Sequence, residues 1–125
     1  MTGTFNVLAE AARQVRDRGS IIAITTSLIR NAVPGTGSYA ATKAAVESFV
    51  RAKYLFGRRV RVNAVAPGPV DTDLLNAGKT EEAKARTAAF RPFNRIGRPE
   101  KSAEVVSDQA SWIQGQIVQI DGGMV

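Results

Sequence analysis

Two side chains that can exchange a proton, Tyr39 and Lys43, stand four residues apart in this 125-residue chain. Positions i and i+4 share one face of a helix, so the spacing predicts that the phenol and the ammonium lie together. A cation beside a phenol stabilises the phenolate, which makes a tyrosine usable as a general acid or base near neutral pH. The spacing alone is weak evidence, because a tyrosine packed on a sheet beside a solvated lysine has the same pattern.

The composition excludes several other kinds of chemistry. The sequence contains no histidine and no cysteine. A thiolate nucleophile, an imidazole base and a zinc-finger ligand set are therefore excluded, and no metal site is expected. The segment Gly78-Lys79-Thr80 is similar to the end of a P-loop, but the first glycine of that motif would fall at Asp73, so no nucleoside triphosphate site is predicted.

The net charge of +6 raises the alternative of a nucleic-acid-binding protein. The arginines are scattered along the chain without an aromatic ladder between them, which favours a soluble domain with a basic exterior and no nucleic-acid partner. No apolar run is long enough to cross a bilayer, and the first residues do not have the pattern of a signal peptide. A cytoplasmic protein without a membrane partner is expected.

The hydrophobic pattern predicts alternating helices and strands in one domain. Residues 20–26 form a continuous β-branched run, which is typical of a parallel strand buried on both faces. The second helix is poorly specified at its last turn, where Lys53 occupies an apolar position. The predicted class is α/β, with helices over 5–18, 39–56, part of 74–90 after an N-cap at Thr80, and 100–109, loops over 27–38 and 92–99, and parallel strands over 20–26, 59–66 and 116–121.

Several short motifs follow one another in a fixed order. A hydroxyl-rich strand end, Thr25-Thr26-Ser27, precedes a Gly/Pro loop and the Tyr39–Lys43 pair, and Asn63-x-x-x-Pro67-Gly68 and a terminal IVQIDGG follow. This set resembles the C-terminal half of the short-chain dehydrogenase/reductase family over nearly the whole chain. The segments VNAVAPGPVDTDL, GKTEE, RIGRPE and QIVQIDGG are most similar to 3-oxoacyl-carrier-protein reductases and plant-type short-chain reductases.

The resemblance implies the second half of a doubly wound Rossmann-like sheet and hydride transfer between a nicotinamide cofactor and a carbonyl or secondary alcohol. Tyr39 matches the catalytic acid/base of the family, and Lys43 matches the lysine that assists it and binds the nicotinamide ribose. Thr26 stands where the family usually has the serine that hydrogen-bonds the substrate carbonyl, and the adjacent Ser27 is an alternative. NADP or NAD is implied as the cofactor, with NADP favoured by the most similar subfamilies.

A second group of matching residues follows the middle predicted strand. Pro67, Gly68 and Val70 match the segment whose backbone faces the nicotinamide carboxamide, and Thr72 matches a hydroxyl that also touches the cofactor. The alternative for this group is a tight turn that only ends a strand.

The sequence also departs from the family pattern. The Gly-rich turn that holds the cofactor pyrophosphate has no counterpart, so a partial domain that lacks the N-terminal half is expected. The stretch before Asn63 is about two residues short, and the stretch from Pro99 to Trp112 is about four residues short, roughly one helical turn. Three functions stay open: a reductase completed by another half, a catalytically silent fragment acting as an interaction module, and a nucleic-acid binder. Self-association, or pairing with a complementary half, is expected at the outer edge of residues 21–25.

Overall fold

The fold is a three-stranded parallel sheet with helices between its strands. It is taken from a computed structural model, which describes residues 2–31, 33–52, 58–104, 107 and 110–125. The strand order is β1-β2-β3, and both neighbouring pairs run parallel, which confirms the predicted α/β Rossmann-like class. The elements are α1 (Thr2–Gln14), β1 (Ser20–Ile24), α2 (Gly37–Arg51), β2 (Arg61–Pro67), α3 (Asp73–Asn76), α4 (Glu81–Ala89), α5 (Pro99–Ala103) and β3 (Ile117–Ile120).

Helix α1 begins and ends three to four residues before the predicted 5–18. The side chain of Arg58, which is distant in sequence, binds backbone carbonyls where α1 ends. It donates to Ala12 O at 3.0 Å and also to Val15 O. The chain then turns at Arg18, whose φ is +64°, and Gly19 lies so close that a Cβ there would be 2.6 Å from Val15 Cγ2. Gly19 therefore permits a close approach to the end of α1.

The strands are shorter or shifted relative to the prediction. Strand β1 ends at Ile24, although Thr25 N still donates to Val65 O at 2.8 Å. The prediction of burial on both faces is wrong at the end of β1, because Ile24 is 56% exposed. Strand β2 begins two residues after the predicted start, since Arg59 takes a left-handed conformation with φ +55°. Strand β3 lies within the predicted range 116–121 and is one residue shorter at each end.

The core lies between α2 and the sheet. Its buried residues are Val46 and Val50 from α2 with Ala23 and Ala64 from the sheet. Helix α2 begins two residues before the predicted start at 39. The predicted last turn around Lys53 lies outside the described residues, as do most residues of the predicted helix 100–109 beyond α5.

Two polar side chains, Thr80 and Asn63, form hydrogen bonds that begin a helix and join two strands. The N-cap predicted at Thr80 is confirmed, since its hydroxyl accepts from Ala83 N at 3.3 Å. Asn63 is fully buried and joins β2 to the start of β3, because its amide donates to Ile113 O at 2.8 Å and accepts from Gln116 N at 3.0 Å. In the part of the chain that the structure describes, no helix is long and apolar enough to cross a membrane.

Candidate active site

Tyr39 and Lys43 lie on one face of the first two turns of α2. The Lys43 ammonium is 5.9 Å from the centre of the Tyr39 ring, and 47% of Tyr39 is exposed. Lys43 Nζ also donates a 2.8 Å hydrogen bond to Ile24 O, the last carbonyl of β1. The lysine thus connects the phenol of α2 to the carboxyl end of the first strand.

Thr26 lies two residues beyond that contact. It is 7% exposed, and its hydroxyl accepts from Leu28 N at 3.3 Å, so it caps a short 3-10 turn formed by Ser27–Ile29. Ser27, the alternative hydroxyl, is only 1% exposed. Within the described ranges, neither hydroxyl is hydrogen-bonded to Tyr39 or Lys43. Thr26 therefore follows the strand end that Lys43 contacts without a hydrogen bond to either residue of the pair.

A buried carboxylate, Glu47, follows Lys43 by one turn of α2 and is 5% exposed. It accepts one hydrogen bond from the Thr25 hydroxyl at 3.3 Å and two from the Arg30 guanidinium at 3.0 and 2.9 Å. The hydrogen bond to Glu47 raises the pKa of Arg30 above its ordinary value. Glu47 was not among the residues predicted from the sequence, although a carboxylate between the apolar Val46 and Val50 is the signal that could have identified it.

The second matched group lies at the carboxyl end of β2. Pro67 is the last residue of β2, and Gly68 N donates to Ile120 O at 3.0 Å. A Cβ on Gly68 would be 2.9 Å from Asp121 Cα, so the close approach of the chain after β2 to the chain after β3 requires glycine. The sequence anticipated this turn but not its contact with Asp121.

Val70 and Thr72 continue from this turn. Val70 forms an isolated parallel bridge with Gly97, and Asp71 N donates to Gly97 O at 2.8 Å. The Thr72 hydroxyl accepts from Leu75 N at 3.3 Å and thereby caps α3. Between the two matched groups, the described residues show no hydrogen bond from Thr26, Tyr39 or Lys43 to the segment 67–72.

A buried arginine lies next to the turn that follows β3. Arg91 is 7% exposed, and Asp121, equally buried, accepts from Gly123 N at 2.9 Å and Met124 N at 3.2 Å. Burial lowers the pKa of Arg91, and the nearby Asp121 carboxylate partly offsets this effect. Arg91 Nε and Nη1 and Asp121 Oδ2 have no hydrogen-bond partner among the described residues.

A cleft of about 620 Å³ opens beside this turn. Its lining includes Gly97 and, from the stretch that is about four residues short of the family pattern, the described residues Lys101, Ser102 and Ala110. Its charged lining is mixed, with the cations Arg95, Arg98 and Lys101 and the carboxylates Glu104 and Asp121.

Comparison with known proteins identifies relatives along the whole chain. Residues 1–125 match the family described as enoyl-(acyl carrier protein) reductase. The chain is 40% identical to an NADPH-dependent aldehyde reductase-like protein, chloroplastic, of Arabidopsis thaliana over 98% of this chain and 48% of that protein. It is 39% identical to the 3-oxoacyl-[acyl-carrier-protein] reductase FabG of Thermotoga maritima over 100% of this chain and 54% of that protein.

A solved structure gives the same result for the fold. The angucycline C-6 ketoreductase LanV with bound NADP is 28% identical, with a TM-score of 0.83 over 96% of this chain and 49% of that one. The chain therefore spans about half the length of the relatives it matches. With its parallel sheet, its Tyr39–Lys43 pair and these relatives, the chain belongs to the short-chain dehydrogenase/reductase family.

Proposed function

We propose that this chain supplies the catalytic half of an NAD(P)-dependent reductase that interconverts a carbonyl and a secondary or primary alcohol. The observation that carries the proposal is the position of Lys43, which contacts both the face of the Tyr39 ring and the strand end that leads into Thr26. The matched residues thus come from two elements, α2 and the end of β1, whose relative position the core fixes.

Proton transfer is assigned to Tyr39. Tyr39 is half-exposed, so a substrate can approach its side chain, and an adjacent ammonium stabilises a phenolate. In reduction, Tyr39 gives its proton to the carbonyl oxygen while hydride adds to the carbonyl carbon, so that the product is an alcohol. In oxidation both transfers reverse.

Thr26 is assigned the role of holding the substrate oxygen. Its hydroxyl uses an acceptor lone pair for Leu28 N, and its own O–H remains able to donate to an oxygen that gains negative charge. Threonine keeps the hydroxyl that the family usually supplies from serine, with a stiffer side chain.

The residues fit the nicotinamide end of a dinucleotide. An ammonium has three N–H donors, and Lys43 uses one for Ile24 O, which leaves two for ribose hydroxyls. The segment Pro67–Thr72 would face the carboxamide, and a bound nicotinamide would supply or accept the hydride. NADP is the proposed form, because one relative is named NADPH-dependent and LanV was solved with NADP.

The proposal is tested by supplying the other half. The chain is fused to the N-terminal half of the Thermotoga reductase, and oxidation of NADPH is followed with a panel of aldehydes and ketones. Turnover that requires both halves is expected. A fusion that is folded and binds NADPH but reduces no carbonyl would contradict the proposal.

The chain alone should bind NADPH at best weakly, because its sequence contains no Gly-rich phosphate turn. Titration measures the dissociation constant, and a submicromolar value would contradict that expectation.

A second candidate, an interaction module, is favoured by the free edge of β1. Gly19 O and Thr25 N both pair with β2, and the direction of backbone groups alternates along a strand. The N–H and C=O groups of Ser20, Ile22 and Ile24 therefore face away from β2, and Lys43 occupies only the Ile24 carbonyl. No described strand pairs with this edge. Such a row is a template for a strand of another chain.

Sedimentation velocity over a concentration series tests the edge. We expect the wild-type chain to associate as its concentration rises, and Ile24→Lys to weaken this association, since a charge at an edge strand opposes pairing. Val7→Lys is the matched control, because Val7 is a 68% exposed apolar residue that belongs to α1 and not to β1. A folded wild-type monomer at high concentration would contradict the interaction module.

A further inference from the structure

Glu47 is a buried ionisable group that the proposed reaction does not use. Its side chain is 6% exposed, and a carboxylate so far removed from water is tolerated only when its oxygens are paired. Both oxygens are paired here, one with Arg30 Nη1 and the Thr25 hydroxyl and the other with Arg30 Nη2. Arg51 approaches only to 4.0 Å and is largely exposed, so Thr25 and Arg30 are the close partners.

These two partners flank Thr26. Thr25 precedes it directly after β1, and its single O–H is shared between Glu47 Oε1 at 3.3 Å and Val65 O at 3.2 Å. Arg30 ends the 3-10 turn that Thr26 begins, and Arg30 N donates to Ser27 O at 2.9 Å. One carboxylate of α2 therefore binds side chains on both sides of Thr26.

The same helix carries Tyr39 and Lys43. Residues 39, 43 and 47 follow one another at intervals of four, so they lie along one face of α2. The bidentate bond with Arg30 restricts both distance and orientation, which a single hydrogen bond does not. A displacement of the turn relative to α2 would strain this charge-assisted pair, whose carboxylate is buried and whose guanidinium is partly exposed.

We propose that Glu47 is a positioning residue, which fixes the Thr26 hydroxyl relative to Tyr39 and Lys43 by holding both flanks of Thr26 against α2. The catalytic consequence of this role rests on the proposed function. The physical consequence, a turn held against α2 by Glu47, does not depend on turnover.

Hydrogen exchange of the 125-residue chain tests the physical consequence. The turn amides of Leu28 and Arg30 are compared with the sheet amides of Ala64 and Gly68, which donate to Gln116 O and Ile120 O. In Glu47→Gln, we expect the ratio of turn to sheet exchange rates to rise about tenfold, because the turn opens locally. A general loss of stability would accelerate both sets and leave the ratio unchanged.

Two further variants keep the test decisive. Arg30→Lys retains the positive charge but cannot form the bidentate pair, and it should raise the same ratio even where Glu47→Gln fails to fold. Glu81→Gln is the matched control, since Glu81 pairs with Lys84 on α4 and its side chain is 87% exposed. An unchanged ratio in Arg30→Lys and in folded Glu47→Gln overturns the proposal.

The fused enzyme tests the catalytic consequence. We expect Glu47→Gln to lower kcat about tenfold with KM changed less than about twofold, because a misplaced hydroxyl weakens transition-state contacts more than substrate binding. Glu81→Gln should leave both constants unchanged. A raised exchange ratio with an unchanged kcat overturns the positioning role. Absence of turnover in every fusion, the unsubstituted one included, contradicts the proposed function alone, because the exchange ratio still decides whether Glu47 holds the turn.

Discussion

Two arginines near the carboxyl end of the sheet have opposite environments. Arg30 donates two hydrogen bonds to the buried Glu47, and this contact raises its pKa. Arg91 is itself buried, two of its nitrogens have no partner among the described residues, and burial lowers its pKa. The charge is stabilised by its surroundings in the first case and destabilised in the second.

The difference coincides with how closely each region follows the family pattern. The region from β1 to α2 keeps the family spacing from Thr26 to Tyr39, and both oxygens of its buried carboxylate, Glu47, are paired. Among its described residues, Ser20 Oγ is a buried polar atom without a partner. The region around the end of β3 adjoins the stretch that is about four residues short, and it has both the cleft and the unpaired polar atoms of Arg91, Ser102 and Asp121. We infer that the proposed catalytic residues, Thr26, Tyr39 and Lys43, lie in the region whose buried charge is paired.

The largest expected effect is in the first region. Tyr39→Phe in the fused enzyme should lower kcat by about 10²–10⁴, because the proton donor is lost while the ring remains. Steady-state kinetics with saturating NADPH measures it. Ser38→Ala, which removes an exposed hydroxyl next to Tyr39, should have no such effect. Retention of most activity in Tyr39→Phe would show that another group supplies the proton.

The next effect concerns the hydroxyl at the end of β1. Thr26→Ala should lower kcat by about 10- to 100-fold, whereas Thr26→Ser should be neutral or faster, because only the hydroxyl is needed at the developing negative charge. The two variants are compared in the fused enzyme. Thr26→Ser removes only the methyl group, whereas Thr26→Ala also removes the hydroxyl, so the difference between them reports the effect of the hydroxyl on kcat. Equal rates for threonine, serine and alanine would remove Thr26 from the site.

The fold was largely predictable because its signals are local. The β-branched runs, the Ala-rich helix and the cap at Thr80 predict elements that the structure confirms within a few residues. The errors come from tertiary contacts, such as the side chain of Arg58 closing α1 early. Periodicity within a helix gives no information about a side chain that arrives from elsewhere in the chain.

The candidate site was predictable to a smaller extent. The spacing of Tyr39 and Lys43 predicted their common face, but no pattern indicated that Lys43 would bind Ile24 O. The pairing of Glu47 with Arg30 joins residues 17 positions apart, and that of Gly68 with Asp121 joins more distant ones. These contacts depend on how α2 packs against β1 and on which strands become neighbours. Local patterns in one sequence specify neither.

A third prediction tests the close approach in the second region. Gly68→Ala should destabilise the chain by about 1–3 kcal/mol, because a Cβ would lie 2.9 Å from Asp121 Cα and the backbone would have to shift. Denaturant unfolding measures the change. Gly37→Ala is the matched control, since nothing lies within 4 Å of a Cβ there, and it should be neutral or slightly stabilising at the start of α2. Equal stabilities of the two variants would mean that the turns after β2 and β3 separate without cost.

The smallest effect is expected at Arg91. A pKa lowered by burial means that the folded chain holds the charged guanidinium less favourably than the unfolded chain does, so the charge opposes folding throughout the pH range below that pKa. Arg91→Met removes this cost and keeps most of the buried side-chain volume, although it also removes a cation near Asp121. We therefore expect a change within about 1 kcal/mol, in either direction, in denaturant unfolding at neutral pH. By contrast, Arg30→Met should destabilise by several kcal/mol, since it leaves Glu47 buried without its charged partner. A loss as large at Arg91 as at Arg30 would show that both arginines are equally well supported and would remove the contrast between the two regions.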